Sequence, residues 1–299
     1  MTGPVHQLGR ARDLVTAPDG ATATVVAEAE MHLVVDFAAG MLVDEISVEP
    51  AVDGLDAFIG ARAGGGFRKL LDLETGAERG SLPYLLLDDV PGATLVSGYA
   101  VSMAAERGDA DLGEYRARVR DMPRLQQADI CAGWRSGGTL LANLEEGGPP
   151  ATLGPVALPV VDEHDPDGWH PLAPMPPDGM RRARRIDVWR EDAVHVDVFF
   201  RDSLMGRGGI ETVVHEYTLD ATVEPDTMTV SACRAQPRVL PWRECPEAIG
   251  SAERLVGWPV RELRPEVRTR LVGPSTCTHL NDVLRGLEDV ARLTDDLRA

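Results

Sequence analysis

Lysine is almost missing from this 299-residue chain: Lys69 is the only one, and arginine supplies the rest of the 30 basic residues. That excludes most Schiff-base chemistry. Positive charge is short overall, with 48 acidic residues setting a formal net charge of −18. Phosphate backbones and anionic headgroups repel such a surface, so neither nucleic acid nor a membrane is an expected partner. Cysteine is also sparse. Cys131, Cys233, Cys245 and Cys277 are too few and too scattered for a disulfide framework and read as the thiols of a cytoplasmic protein. No run of about 18 apolar residues exists to span a bilayer. Residues 1–8 lack the basic and apolar regions of a signal peptide.

What is present is globular composition, 43% apolar and 26% charged, on a chain long enough for one large domain or two ordinary ones. Nine prolines crowd residues 144–180, together with glycines and acids. That stretch can sustain neither a ladder nor a long helix and reads as a linker, with Trp169-His170-Pro171 as its anchor. The domains expected are therefore 1–143 and 181–299.

Beyond the linker, Val194, Val196, Val198 and Phe200 alternate with His195, Asp197, Phe199 and Arg201, the period of a half-buried strand. Val213, His215, Tyr217 and Leu219 line a second strand, and Met228, Val230 and Ala232 a third. Helical pattern follows over about 245–256 and 262–271. A last helix carries Leu280, Leu284, Leu287 and Ala291 on one face. The first half repeats this order. Met41–Pro50 parallels Met228–Pro237, and Phe58-Ile59-Gly60 parallels Leu255-Val256-Gly257. Leu87–Val90 parallels Leu280–Val283, and Arg10–Leu14 parallels Arg184–Val188. The expected fold is α+β: two diverged copies of an antiparallel three-stranded sheet followed by helices, related by a pseudo-twofold.

A duplicated chain supplies its own comparison. His215, Cys245, Cys277 and His279 are metal- or proton-competent in the second copy, whereas the first offers Ala29 opposite His215, no cysteine opposite Cys245, Tyr84 opposite Cys277 and Leu86 opposite His279. Three readings stay open. Thiolate and imidazole suit zinc or iron, with His215, Cys245, Cys277 and His279 as ligands. Alternatively Cys277, just before a helix, is a thiolate nucleophile, with His215 as base oriented by Asp202 or Asp282. Or the cysteines are core hydrophobes, and His215 a satisfied core residue. Elsewhere, Arg181–Arg185 reads as a solvated basic run leading into a strand, or as a site for phosphate or carboxylate. Asp129–Trp134, with Cys131, either lines a pocket or ends a helix near Tyr115. Leu87-Asp88-Asp89 reads as a helix start. Gly64-Gly65-Gly66 follows no strand that would make it a nucleotide loop.

Residues 181–293 resemble the bacterial family catalogued as domain of unknown function 2889. The likeness is carried by Arg185-Ile186-Asp187-Val188, His215-Glu216-Tyr217, Cys245, Leu255-Val256-Gly257 and Cys277-Thr278-His279-Leu280. The first half, with Leu85–Ala93 and Ser97–Ala100, looks like the longer members. The resemblance implies no activity. A looser likeness in layout, to iron–sulfur scaffold proteins, would put ligands at His215, Cys245 and Cys277. The leading expectation is an enzyme of lyase or hydrolase type acting on a small-molecule substrate through a zinc, iron or thiolate site, with a homo-oligomer left open. A non-catalytic metal or iron–sulfur carrier and a structural partner subunit are the alternatives.

Overall fold

The computed structural model describes residues 4–18, 20, 22–37, 39–106, 128–148 and 152–297. The helix expected near Tyr115 lies outside the described residues. Two compact units divide the chain. The N-terminal unit holds residues up to Ser97 and Pro159–Ala173; the C-terminal unit holds Gly98–Leu158 and Pro174–Thr294. The proline-rich stretch is thus shared between them. Within the N-terminal unit, the Arg12 guanidinium donates to the Asp167 carbonyl. Within the C-terminal unit, residues 154–158 run beside a sheet, where the Ala157 N–H donates to the Glu211 carbonyl at 2.8 Å.

The N-terminal unit contains an antiparallel sheet in the order β1 (Val5–Thr16), β2 (Ala23–Asp36) and β3 (Leu42–Glu49). Helices α1 (Phe67–Glu74) and α2 (Leu82–Glu106) follow. Leu87-Asp88-Asp89 therefore lies inside α2, which begins at Leu82, and Leu87 and Val90 are fully buried. The apolar run Leu85-Leu86-Leu87 continues the helix backward from the acids. After α3 (Thr139–Glu145), the C-terminal unit carries a four-stranded antiparallel sheet in the order β4 (Met180–Arg190), β5 (Val194–Met205), β6 (Glu211–Glu224) and β7 (Thr229–Val239). A 3₁₀ segment, Cys245–Leu255, then leads to α4 (Leu263–Arg270), α5 (Thr278–Gly286) and α6 (Val290–Asp296).

The class and the order of strands before helices are as the periodicity indicates, but the second sheet has four strands, not three. The extra one, β4, contains the arginine run. Period-two spacing puts Arg182, Arg184, Ile186 and Val188 on one face, and Ile186 and Val188 pack against the core. Alternation along β5 is as expected, with Val194, Val196, Val198 and Phe200 buried. The last helical pattern covers α5, a 3₁₀ turn at Leu287–Asp289, and α6. Leu280, Val283 and Leu284 are fully buried there. Each such side chain contributes about 1.5–3 kcal/mol relative to exposure.

The two units share backbone detail that helices and strands in general do not. Asp13 pairs Ala27 and Leu14 pairs Val25, leaving Val26 as an extra residue; Asp202 pairs His215 and Ser203 pairs Val213, leaving Val214. The next ladder is interrupted in the same way by Asp44 and by Ser231. Met41 and Met228 both have positive φ, at 65° and 49°. The Gly60 N–H donates to Val43 O and the Gly257 N–H to Val230 O, each at 2.8 Å. The Ala63 N–H donates to Met41 O and the Val260 N–H to Met228 O, also at 2.8 Å. Strands β1–β3 therefore correspond to β5–β7. This corrects one match: Arg10–Leu14 belongs with β5 rather than β4, so that Arg12-Asp13 answers Arg201-Asp202. It also moves the counterpart of His215 from Ala29 to Ala27, with Ala29 answering Tyr217.

Candidate functional site

The bulge at Val214 sits at the centre of the C-terminal unit's polar core. β-Bulges bend a strand and re-aim its side chains, and here Asp202 and His215 face each other across the ladder immediately before the extra residue. The first turn of α5 adds His279. Cys277, extended at φ −127° and ψ 130°, is the residue before the helix, and its carbonyl accepts the first helical bond from the Asn281 N–H at 2.8 Å.

The imidazoles of His215 and His279 stack with centroids 3.6 Å apart and planes 20° from parallel. His215 Nδ1 lies 3.4 Å from Asp202 Oδ2 without the angle of a hydrogen bond. One ligand atom from each of Asp202, His215 and His279 lies within 4.8 Å of the others, and all three residues are buried. His279 Nε2 is buried with no hydrogen-bond partner.

Arg182, reaching in from β4, supports this group. Its Nε donates to Asp202 Oδ1 at 2.8 Å, its Nη2 to Asp202 Oδ2 at 3.1 Å, and its Nη1 to Asp282 Oδ2 at 2.8 Å. Arg285 donates to the other oxygen of Asp282 at 2.9 Å. Two guanidiniums and two carboxylates thus balance in a buried chain, and Arg182 also rests 5.0 Å above the Phe200 ring. The run Arg181–Arg185 does bind carboxylates, but they are the protein's own: Glu211, Asp202, Asp282 and Asp187.

These surroundings set the protonation states. Burial alone would raise the Asp202 carboxyl, but the Arg182 charge and the facing His215 outweigh it and hold Asp202 well below the carboxylate range. Burial, reinforced by His215, pushes His279 down to about 3, so its imidazole is neutral near pH 7. Burial pushes Cys277 up to about 11 and Cys245 up to about 12, reinforced by the neighbouring thiols Cys131 and Cys277 respectively. The thiols are therefore protonated near neutral pH, despite the place of Cys277 at a helix start.

Cys277 adjoins the histidine pair without joining it. The Tyr217 hydroxyl donates to Cys277 Sγ at 3.3 Å, and Sγ lies 4.0 Å from His279 Nδ1. Among the described residues, no cysteine belongs to a set of three ligand atoms within 4.8 Å. Cys245 begins its 3₁₀ segment against Gly133, where an added Cβ would stand 2.9 Å from its sulfur. Cys131 belongs to the same region: the Ala132 N–H donates to Thr276 O at 2.8 Å, and burial raises the Cys131 thiol. Cys233 packs in the core among β7 neighbours, where burial and Asp220 push it up to about 12. Tyr99, from the last turns of α2, sets its ring edge-on to His215 at 5.9 Å.

Of the residues singled out from the sequence, Asp202, His215 and His279 converge, Cys277 stands directly behind His279, and Cys245 lies beyond. Arg182, Tyr99 and Tyr217 are additional. Two arginines in register with Ile186 and Val188 were the available signal for Arg182. Nothing in the sequence pattern connects Tyr99 to β6.

Two imidazoles and a carboxylate form a donor set suited to a divalent transition metal. Bonds of about 2.0–2.1 Å to a tetrahedral ion put neighbouring ligand atoms about 3.4 Å apart, and His215 and Asp202 already show that spacing. Arg182 then supplies the hydrogen bonds that ligating carboxylates ordinarily receive.

Fold and site together define a duplicated α+β protein whose polar centre is built in one copy only. Residues 180–293 match the family described as a protein of unknown function, DUF2889. Tyr99 and Cys131 lie outside the matched residues. No curated protein and no solved structure gives a significant match. Among the described residues, no helix is long and apolar enough to cross a membrane.

Proposed function

We propose that this chain binds one divalent metal ion, zinc or iron, through Asp202, His215 and His279, and uses it on a small-molecule substrate in lyase- or hydrolase-type chemistry. The carrying observation is the convergence of one donor atom from each of these three residues, together with a buried His279 Nε2 that no protein group satisfies. An orphaned buried acceptor beside a second imidazole and an ionised carboxylate is costly unless something occupies the space between them. Bound there, the metal would supply Lewis-acid activation, with coordination positions left over after three protein ligands. The raised thiols disfavour the alternative in which Cys277 attacks as a thiolate.

A carrier or structural role is the second reading, favoured by one observation: all three donors are buried, as in closed structural sites. Metal analysis by plasma mass spectrometry, after zinc or iron(II) loading and desalting, tests the shared premise. About one ion per chain is expected in the wild type and none in His279→Ala. Stoichiometric metal in both, or none in either, overturns the assignment. Displacement of the ion by a chelator within seconds would favour an open, substrate-accessible site over a closed one.

A further inference from the structure

We propose that Cys277 is neither ligand nor nucleophile but a positioning residue that, with Thr278, keeps the ring proton of His279 on Nδ1 and leaves Nε2 as a bare lone pair. The proposal rests on the reading of Asp202, His215 and His279 as a metal site, and its first test does not require a metal.

The two nitrogens of His279 have unlike surroundings. Nδ1 faces two groups able to accept a hydrogen bond, Cys277 Sγ at 4.0 Å and Thr278 Oγ1 at 3.4 Å. Nε2 faces none. A neutral imidazole has one N–H to place, and an orphaned buried N–H is rarer and costlier than an orphaned acceptor. The proton therefore belongs on Nδ1. The sulfur is fixed for this role from behind, because it accepts the Tyr217 hydroxyl at 3.3 Å while its backbone is held as the residue before α5. The chain Tyr217–Cys277–His279 is what a metal-binding histidine requires: its second nitrogen engaged, so that tautomer and ring plane are set in advance. The stacked His215 ring, 3.6 Å away, blocks rotation about the same axis.

This explains why a cysteine can sit at the start of a helix beside a histidine without reading as a nucleophile. It also explains why Cys-x-His, two residues apart, need not supply two ligands. On a helix such residues diverge, and here the first acts through the second.

The experiment uses the full chain with ¹⁵N-labelled histidine. In chelator-treated protein, the long-range ¹⁵N–¹H pattern assigned by its loss in His279→Ala should be that of an Nδ1–H imidazole. Cys277→Ser should preserve it, whereas Cys277→Ala combined with Thr278→Val should move His279 toward the Nε2–H form. An Nε2–H pattern in the wild type, or no change in the double variant, overturns the proposal. If the double variant does not fold, Cys277→Ala and Thr278→Val are read singly, and no movement toward the Nε2–H form in either overturns the proposal. With cobalt(II) as the probe, Cys277→Ala should bind about 10–100-fold more weakly, the range for lost outer partners of a metal ligand, and Cys277→Ser within a few-fold of wild type. An intense thiolate-to-cobalt band in the wild type would make Cys277 a ligand and overturn the proposal. If the tautomer is as expected but no ion binds, the metal reading fails and the positioning role stands.

Discussion

The two units of this chain hold the same frame around different centres. Both interrupt the corresponding ladder, β1–β2 or β5–β6, at an aspartate, Asp13 or Asp202, and both enter the last strand through a positive-φ methionine and leave it through a positive-φ glycine. Yet where the C-terminal unit places His215 and Tyr217, the N-terminal unit places Ala27 and Ala29, and the sequence comparison sets Tyr84 and Leu86 opposite Cys277 and His279. The frame therefore does not need the polar cluster. Burying two imidazoles, a carboxylate and a guanidinium costs free energy that apolar side chains do not, and the N-terminal unit shows the same backbone standing without that cost. A strand distinguishes them as well: β4 has no counterpart beside β1 among the described residues, and β4 is the source of Arg182.

The largest break in this comparison should come from Asp202→Asn. Arg182, only 7% exposed, would keep Asp282 but lose the opposite charge of Asp202 and one of its two bonds to this fully buried residue, with an amide NH₂ left facing the guanidinium. Removing one partner of a buried pair costs about 3–5 kcal/mol. A denaturant midpoint shifted by that amount is expected in metal-free protein. A loss under about 1 kcal/mol would mean that Arg182 re-pairs or reaches water, and that the cluster is looser than its geometry implies.

A smaller effect, of opposite sign, is expected from giving the C-terminal unit the residue of its counterpart. His279→Leu, after Leu86, removes an orphaned buried nitrogen and should stabilise metal-free protein by about 1–2 kcal/mol near pH 7, while abolishing metal binding. Its pH dependence sharpens the point. An unfolded histidine titrates near about 6.5, but His279 in the fold titrates at about 3. Between those values the unfolded chain takes up a proton that the fold refuses, so stability falls as pH is lowered through this window. The slope is about 1.4 kcal/mol per pH unit for one full proton. The depressed Asp202 acts with the same sign but lower, from about pH 4 downward. Unfolding free energies between pH 4.5 and 6.5 should thus flatten in His279→Leu. An unchanged slope would show that His279 is not the group responsible.

How much of this was legible beforehand follows the same division. Strands β5–β7, the last helices and the duplicated order could be read because periodicity and turn residues are local. The convergence of Asp202 and His215 was partly legible, since antiparallel strands with a short turn bring such residues together. The departures are non-local. Arg182 carries the sign of a surface residue, and only the apolar partners Ile186 and Val188 on its face mark it as inward. Tyr99 and Cys131 come from residues 98–148, and spacing along the chain cannot place them beside β6 and α5. The counterpart of His215 is fixed only by the ladder registers, which pair Asp13 with Ala27 and Asp202 with His215 and which the residue pattern alone does not carry.

The mildest test asks whether the shared frame is energetically as well as geometrically alike. Gly60 and Gly257 occupy matching turns at φ 77° and 86°, each donating its N–H to the strand that precedes it, and neither has an atom within 4 Å of where a Cβ would stand. Alanine at either position therefore meets no steric neighbour and incurs only the left-handed backbone penalty, about 1–2 kcal/mol. Native-state hydrogen exchange, read on β3 for Gly60→Ala and on β7 for Gly257→Ala, should show the same loss of protection within about 0.5 kcal/mol, as for independent sites. A much larger loss on β7 would mean that the C-terminal frame is held under strain by the polar cluster it surrounds. Equal losses would locate the difference between the units in their side chains alone.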